Sequence, residues 1–191
     1  MKHPGERNVG QVPGPVLGLL VIAFCLQVAW QALQPKPVAS ADALGAPASQ
    51  PVLSVVSLGE PIALAQLLTL YLQAFDDQPG VSIPFKNLDY PRVIRWLDSI
   101  LGLDPVTEYP LLMASELYGQ VPVESKQRLM FEFVHRKFLE HPNRRWRWLA
   151  HCAILAKYRL KDPALALSYA EDITRYARSA SDWARQMRIF I

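Results

Sequence analysis

HPNRRWRWLAHCAILAKYRLKDPALALSYAEDITRYA, residues 141–177, decides the fold. His141-Pro142 interrupts a helical pattern, and a proline is tolerated in the first turn of the helix that follows, because its missing N–H has no partner there. From Asn143 to Leu160, the residues Trp146, Leu149, Ala150, Ala153 and Ile154 recur at three- and four-residue steps. That spacing gathers them on one face of a helix. Asp162-Pro163 opens a second helix, in which Ala166, Ala170, Ile173 and Ala177 make a face of small residues. Two helices joined by so short a connection lie antiparallel.

The same punctuation recurs on either side. Pro61 starts a helix with Leu64, Leu67, Leu68, Tyr71 and Phe75 at helical spacing, ended by Gln78-Pro79-Gly80. Val81 to Asn87 reads as a loop. Asp89 caps a helix carrying Val93, Trp96, Leu97 and Ile100, stopped by Gly102. Tyr109–Gly119 and Val123–Glu140 form the next pair, and Ser181 caps a last helix with Trp183, Met187 and Ile191. Val52 to Leu58 (VLSVVSL) is a short strand or an extended segment, and periodicity does not choose between them. No Asn-Gly or Asp-Gly hairpin signal occurs after Gly59. The helices pair as 60–104, 105–141 and 142–178, with another pair begun at 181. Pro105 and Pro142 are 37 residues apart, and Ser179 follows 37 later. A period in this range marks a helical solenoid.

Trp146-x-x-Leu149-Ala150-x-x-Ala153 resembles the first-helix pattern of the tetratricopeptide repeat, with Leu111-x-x-Ala114-Ser115-x-x-Tyr118 as a looser echo. Ala166 and Ala170 stand at the small second-helix positions. The resemblance implies an all-α, degenerate tetratricopeptide-like stack over 52–191. The alternative is an irregular helical bundle, since short αα connections serve both. The segments SLGEPIALAQLLTLYLQAFDDQPG, LDYPRVIRWLD and HPNRRWRWLAH through WARQMRIFI are also similar to uncharacterised proteobacterial membrane-anchored proteins. That likeness brings no activity, and it implies that the array continues beyond Ile191.

Half of the 191 residues are hydrophobic and the mean hydropathy is +0.08, high for a soluble domain of this size. One source is VLGLLVIAFCLQVAWQAL, Val16 to Leu33, inside a stretch between Arg7 and Lys36 without charge. As a helix it spans about 27 Å, close to the hydrocarbon core of a bilayer. Lys2 and Arg7 before it, against Lys36 alone after it, place residues 1–15 in the cytoplasm by the positive-inside bias. Ala39-Ser40-Ala41 offers a cleavage site, but the apolar run exceeds that of a signal peptide and ends too far upstream. A lipoprotein reading through Cys25 fails on the bulky Phe24. Residues 16–34 are therefore expected to be an uncleaved transmembrane signal anchor, and the likeness to proteobacterial proteins implies a bacterial inner membrane. Residues 35–51, rich in Ala and Pro, form a linker too poor in large side chains to bury itself. The helical domain 52–191 is periplasmic. Cys25 and Cys152 lie too far apart in the scheme to pair, and both read as small apolar fillers.

No phosphate loop, dinucleotide glycine signature, nucleophile elbow, H-E-x-x-H or C-x-x-C occurs. Glu132-x-x-His135 has the spacing of one half of a di-iron site, but the second half is missing. His141 and His151 do not converge on it. The expectation is a protein that is not an enzyme and uses no cofactor or metal.

Charge is divided. Residues 34–122 carry 4 basic and 9 acidic residues, net −5, and residues 123–191 carry 14 basic and 7 acidic, net +7. The basic half peaks at Arg144-Arg145-Trp146-Arg147-Trp148. Arg144, Arg145, Arg147 and Trp148 are accordingly the candidate partner-binding residues, weighed against a solvated face balanced by Glu140 and Asp172. Two roles fit: a tethered scaffold binding a protein during envelope assembly or export, or a binder of anionic polymer or lipid headgroups through the basic face. A periplasmic placement argues against nucleic acid.

Overall fold

The computed structural model describes residues 13–34 and 42–191, so the expected tail (save residues 13–15) and residues 35–41 of the expected linker lie outside the described residues. The chain divides into two units, Met1–Ala39 and Ser40–Ile191.

The first unit holds α1, Gly14–Leu33, with Pro15 in its opening turn. Twenty residues at about 1.5 Å each match the thickness of a bilayer core. None of its side chains is buried, although Leu19, Leu20, Val21, Ile22, Phe24 and Leu26 are among them. It is long and apolar enough to cross a membrane.

Among the described residues of the second unit the regular elements are helices and one small hairpin. Its helices are α2 (Gln50–Val56), α3 (Pro61–Ala74), α4 (Tyr90–Leu103), α5 (Tyr109–Leu112), α6 (Glu124–Glu140), α7 (Pro142–Tyr158), α8 (Pro163–Tyr176) and α9 (Asp182–Arg185). Helices α3 and α4 pack together, as do α6 and α7, and α7 and α8, while α4 also reaches α6. The core runs through all of them: Leu72 of α3, Val93 and Leu97 of α4, Phe131 and Phe138 of α6, Leu149 and Ala153 of α7, Ala166 and Ile173 of α8. Burying each large apolar side chain contributes about 1.5–3 kcal/mol. The expected starts at Asp89 and Asp162 are made as caps, accepting from the N–H of Arg92 at 3.2 Å and of Leu165 at 3.0 Å.

Four expectations are corrected. Val52 to Leu58 is no strand: Gln50–Val56 is helical, with Pro51 in its first turn and Leu53 buried. It ends where Leu58, at φ +50°, and Gly59, at φ +92°, turn the chain left-handed into α3. A leucine held there costs about 1–2 kcal/mol. Second, the described part of the linker, 42–49, is not a free spacer. Leu44 is buried, Arg92 Nη1 donates to its carbonyl at 2.6 Å, and Trp96 Nε1 donates to that of Gly45 at 2.9 Å. One leucine, two side chains of α4 and Gln78, which bonds the Asp42 backbone twice, pin a segment whose composition predicts no burial. Third, the expected loop at 81–87 opens with a strand: β1 (Asp77–Gln78) pairs antiparallel with β2 (Val81–Ser82) around Pro79-Gly80. Gly80 supplies the positive φ, +80°, that a Pro-Gly turn needs.

Fourth, the expected helix Tyr109–Gly119 is regular only in α5. It then widens to a π turn over Met113–Leu117 and tightens to a 3₁₀ turn over Tyr118–Gln120. Met113, Ala114 and Ser115 are buried in succession along the widened stretch. The Ser115 hydroxyl occupies the Leu111 carbonyl at 2.9 Å. At the close, a Cβ on Gly119 would lie 2.8 Å from the Ala114 carbonyl oxygen. The last helix is also brief: Ser181 makes no side-chain cap, and α9 gives way to a 3₁₀ turn at Met187–Ile189.

Side-chain hydrogen bonds between elements mostly join residues 33 to 40 apart. Gln73 meets Tyr109, Lys126 meets Leu88, Arg128 meets Asp162, His135 meets Asp172 and Asn143 meets Ser179.

Candidate functional site

The basic tract sits at the start of α7, and the helix divides it. Arg145 is 2 % exposed. Its Nη1 donates to the Lys137 carbonyl at 2.8 Å and to Glu140 Oε2 at 2.9 Å, and its Nη2 donates to the Pro105 carbonyl at 3.3 Å. It ties the α4–α5 loop to the last turn of α6 and is closed to a partner, contrary to its expected role. Glu140 also accepts from Lys137 at 2.7 Å. Burial alone would push the Glu140 carboxyl up, but the hydrogen bonds from Lys137 and Arg145 outweigh it and hold it below the usual range. Trp148 is half-buried against the core, with its Nε1 enclosed and unpartnered. Trp146, buried, meets the Trp183 ring edge-on at 5.8 Å.

Arg144 and Arg147 remain exposed. Arg147 lies over the Trp146 ring at 5.6 Å, and Arg144 reaches the Pro105 carbonyl at 3.3 Å. They line a cleft of about 560 Å³ together with Glu108, Glu140, His141 and Asn143. Two carboxylates facing two arginines make this a mixed surface rather than an anion funnel. The balance of the tract differs from the expected pairing: Glu140 faces it, while Asp172 accepts from His135 at 2.7 Å. Glu132 is exposed beside His135, and among the described residues no group of three or more His, Cys, Asp or Glu is placed to hold a metal. Cys152 is buried, which pushes its thiol up and keeps it inert.

A second concavity, unmarked by any motif, opens between α3, α4 and α5. It holds about 490 Å³ and is lined by Ala65, Gln66, Thr69, Leu70, Gln73, Ile100, Asp104, Thr107 and Tyr109. Its position follows from α3. That helix has three polar residues, Gln66, Thr69 and Gln73, and at 100° per residue all three fall on the groove side. Gln73 Nε2 donates to the Tyr109 hydroxyl across the groove. Asp104 Oδ1 accepts from the N–H groups of Val106 at 3.1 Å and Thr107 at 3.3 Å, fixing the far wall. Ala65, Leu70 and Ile100 supply apolar contact, and no cation lines it. The sequence held a signal for this site: polar residues at i, i+3 and i+7 in an otherwise apolar helix.

Fold and sites together define an all-helical protein with one N-terminal helix long and apolar enough to span a membrane. No family model matches the chain, and neither the curated proteins nor the solved structures contain a significant match to it.

Proposed function

We propose that this is a membrane-tethered scaffold of helical hairpins that holds a segment of a protein partner in the groove between α3, α4 and α5. The groove is the observation that carries the reading. It combines an apolar floor with amide, hydroxyl and carboxylate groups, the mixture that fixes a peptide in place. Asp104 at its wall and the net −5 of residues 34–122 select a neutral or basic segment. The recurrence of inter-element bonds at 33 to 40 residues supports a tetratricopeptide-like stack, because equivalent positions of successive hairpins meet one period apart. The irregular α5 makes the stack a degenerate one. In this reading α1 anchors the chain in a bacterial inner membrane, with residues 1–15 cytoplasmic and the helical unit periplasmic, serving envelope assembly or export.

Photocrosslinking in native membranes tests it. A photoreactive residue at Gln66 gives a discrete adduct, and Leu70→Glu lowers its yield about tenfold, as losing one packed apolar contact would. Adducts that form only at Arg144 and Arg147, and disappear at about 0.5 M salt, would sink the groove and favour an anionic ligand on the basic cleft.

A further inference from the structure

Helix α3 has a third side. Opposite its buried Ala65 and Leu72, and away from the polar stripe of the groove, it presents Ala63, Leu67 and Ala74 outward. Leu67 is 63 % exposed, and Leu58, at the left-handed corner before it, is 90 % exposed. Between Asp42 and Asp76 the single charged residue is Glu60. Helices α2 and α3 together are as apolar as a membrane span, yet they are bent by 111°. A core helix is equally apolar because it is buried, which Leu58 and Leu67 are not. A spanning helix would have to leave the fold, which Leu53, Ala65 and Leu72 forbid by being buried in it. A surface this apolar that is neither core nor span marks a contact surface, for lipid or for protein.

We infer that the Leu58 corner and the outer side of α3 rest on the lipid bilayer that holds α1. Lipid is favoured over a protein occupant by chain continuity: eight residues lie between Leu33 and Asp42, a reach of about 30 Å at full extension. Without a Lys or Arg between residues 37 and 85, the contact is apolar and indifferent to headgroup charge. The inference rests on the membrane-anchored reading of α1.

The test uses the full chain carrying Cys25→Ala, with Cys152 left in its buried position. Leu58→Cys, Leu67→Cys or, as control, Glu132→Cys carries an environment-sensitive fluorophore, and the protein is reconstituted in phosphatidylcholine vesicles. Quencher-bearing lipid should dim the probe at 58 and 67 at least about twofold more than at 132, with no change on adding phosphatidylglycerol or salt. Leu67→Glu should relieve the quenching at 58 without altering the helical circular dichroism. Vesicle-bound protein whose three probes are quenched alike would overturn the contact alone. So would shielding that grows with protein per vesicle, marking a second copy, or that needs added membrane proteins. Protein that fails to float with the vesicles overturns the anchor and the contact together.

Discussion

Arg144 and Arg145 are adjacent, chemically identical and differently used. A 100° step on α7 sends Arg145 under the α4–α5 loop, where its guanidinium satisfies the carbonyls of Lys137 and Pro105, and leaves Arg144 exposed. Arg145→Ala should therefore strand the Lys137 carbonyl, leave the Pro105 carbonyl to Arg144 alone and lose stem packing, costing about 2–3 kcal/mol. Arg144→Ala should change stability by less than about 0.5 kcal/mol. Urea unfolding of the full chain in neutral detergent, followed by near-ultraviolet circular dichroism of the tryptophans, separates the two. Equal effects would mean that Arg145 is not the staple. Tyr90 shows the same inward use of a polar group: its hydroxyl donates to the Tyr118 carbonyl at 2.9 Å, and burial pushes it up to about 12, so it stays a donor throughout the neutral range.

At the scale of the element, Asp162 has two tasks. It caps α8 through Leu165 N–H and binds Arg128 of α6 at 2.8 Å. These two donors, the backbone N–H first, hold its carboxyl below the usual range. Glu140 is lowered too, for the reasons given above. Carboxyls depressed in the folded state contribute fully above their unfolded values, about 4, and lose that contribution as pH falls through the folded values. The urea midpoint should thus fall in acid below about pH 4. Asp162→Asn keeps the cap and loses the charge, so it should flatten part of that acid dependence. Asp162→Ala loses both and should also lower the midpoint at pH 7. An unchanged acid limb in Asp162→Asn would refute the assignment.

At the scale of the whole molecule, hydrophobicity and charge are each partitioned. Part of the apolar excess is α1, none of whose side chains is buried among the described residues. Ile22→Arg places a charge at mid-helix, which costs about 2.5–3.5 kcal/mol on the insertion scale. It should move a measurable share of the protein from the membrane pellet to the carbonate-soluble fraction, while Leu58→Arg should not. Four of the fourteen basic residues of 123–191, Lys126, Arg128, Lys137 and Arg145, bond another element of the fold. A bare charge count therefore overstates the basic face.

The sequence by itself determined where most of the longer helices start, because proline and capping aspartates act within a turn or two of the chain. Pro61, Asp89, Pro142 and Asp162 stand where helices begin, and Val16 to Leu33 is helical throughout. Tertiary structure decided what depends on distant neighbours. The linker segment 42–49 is pinned by Arg92 and Trp96, residues about fifty positions away. Met113 to Leu117 widens into a π turn in a segment whose spacing predicts an ordinary helix, and three successive residues there enter the core. Arg145 turned from a candidate binding residue into a staple because Pro105, forty residues earlier, brought its carbonyl alongside. The groove came from the same source: the polar stripe of α3 was legible, but the wall it faces, Asp104 to Tyr109, was set by packing across a gap in the chain.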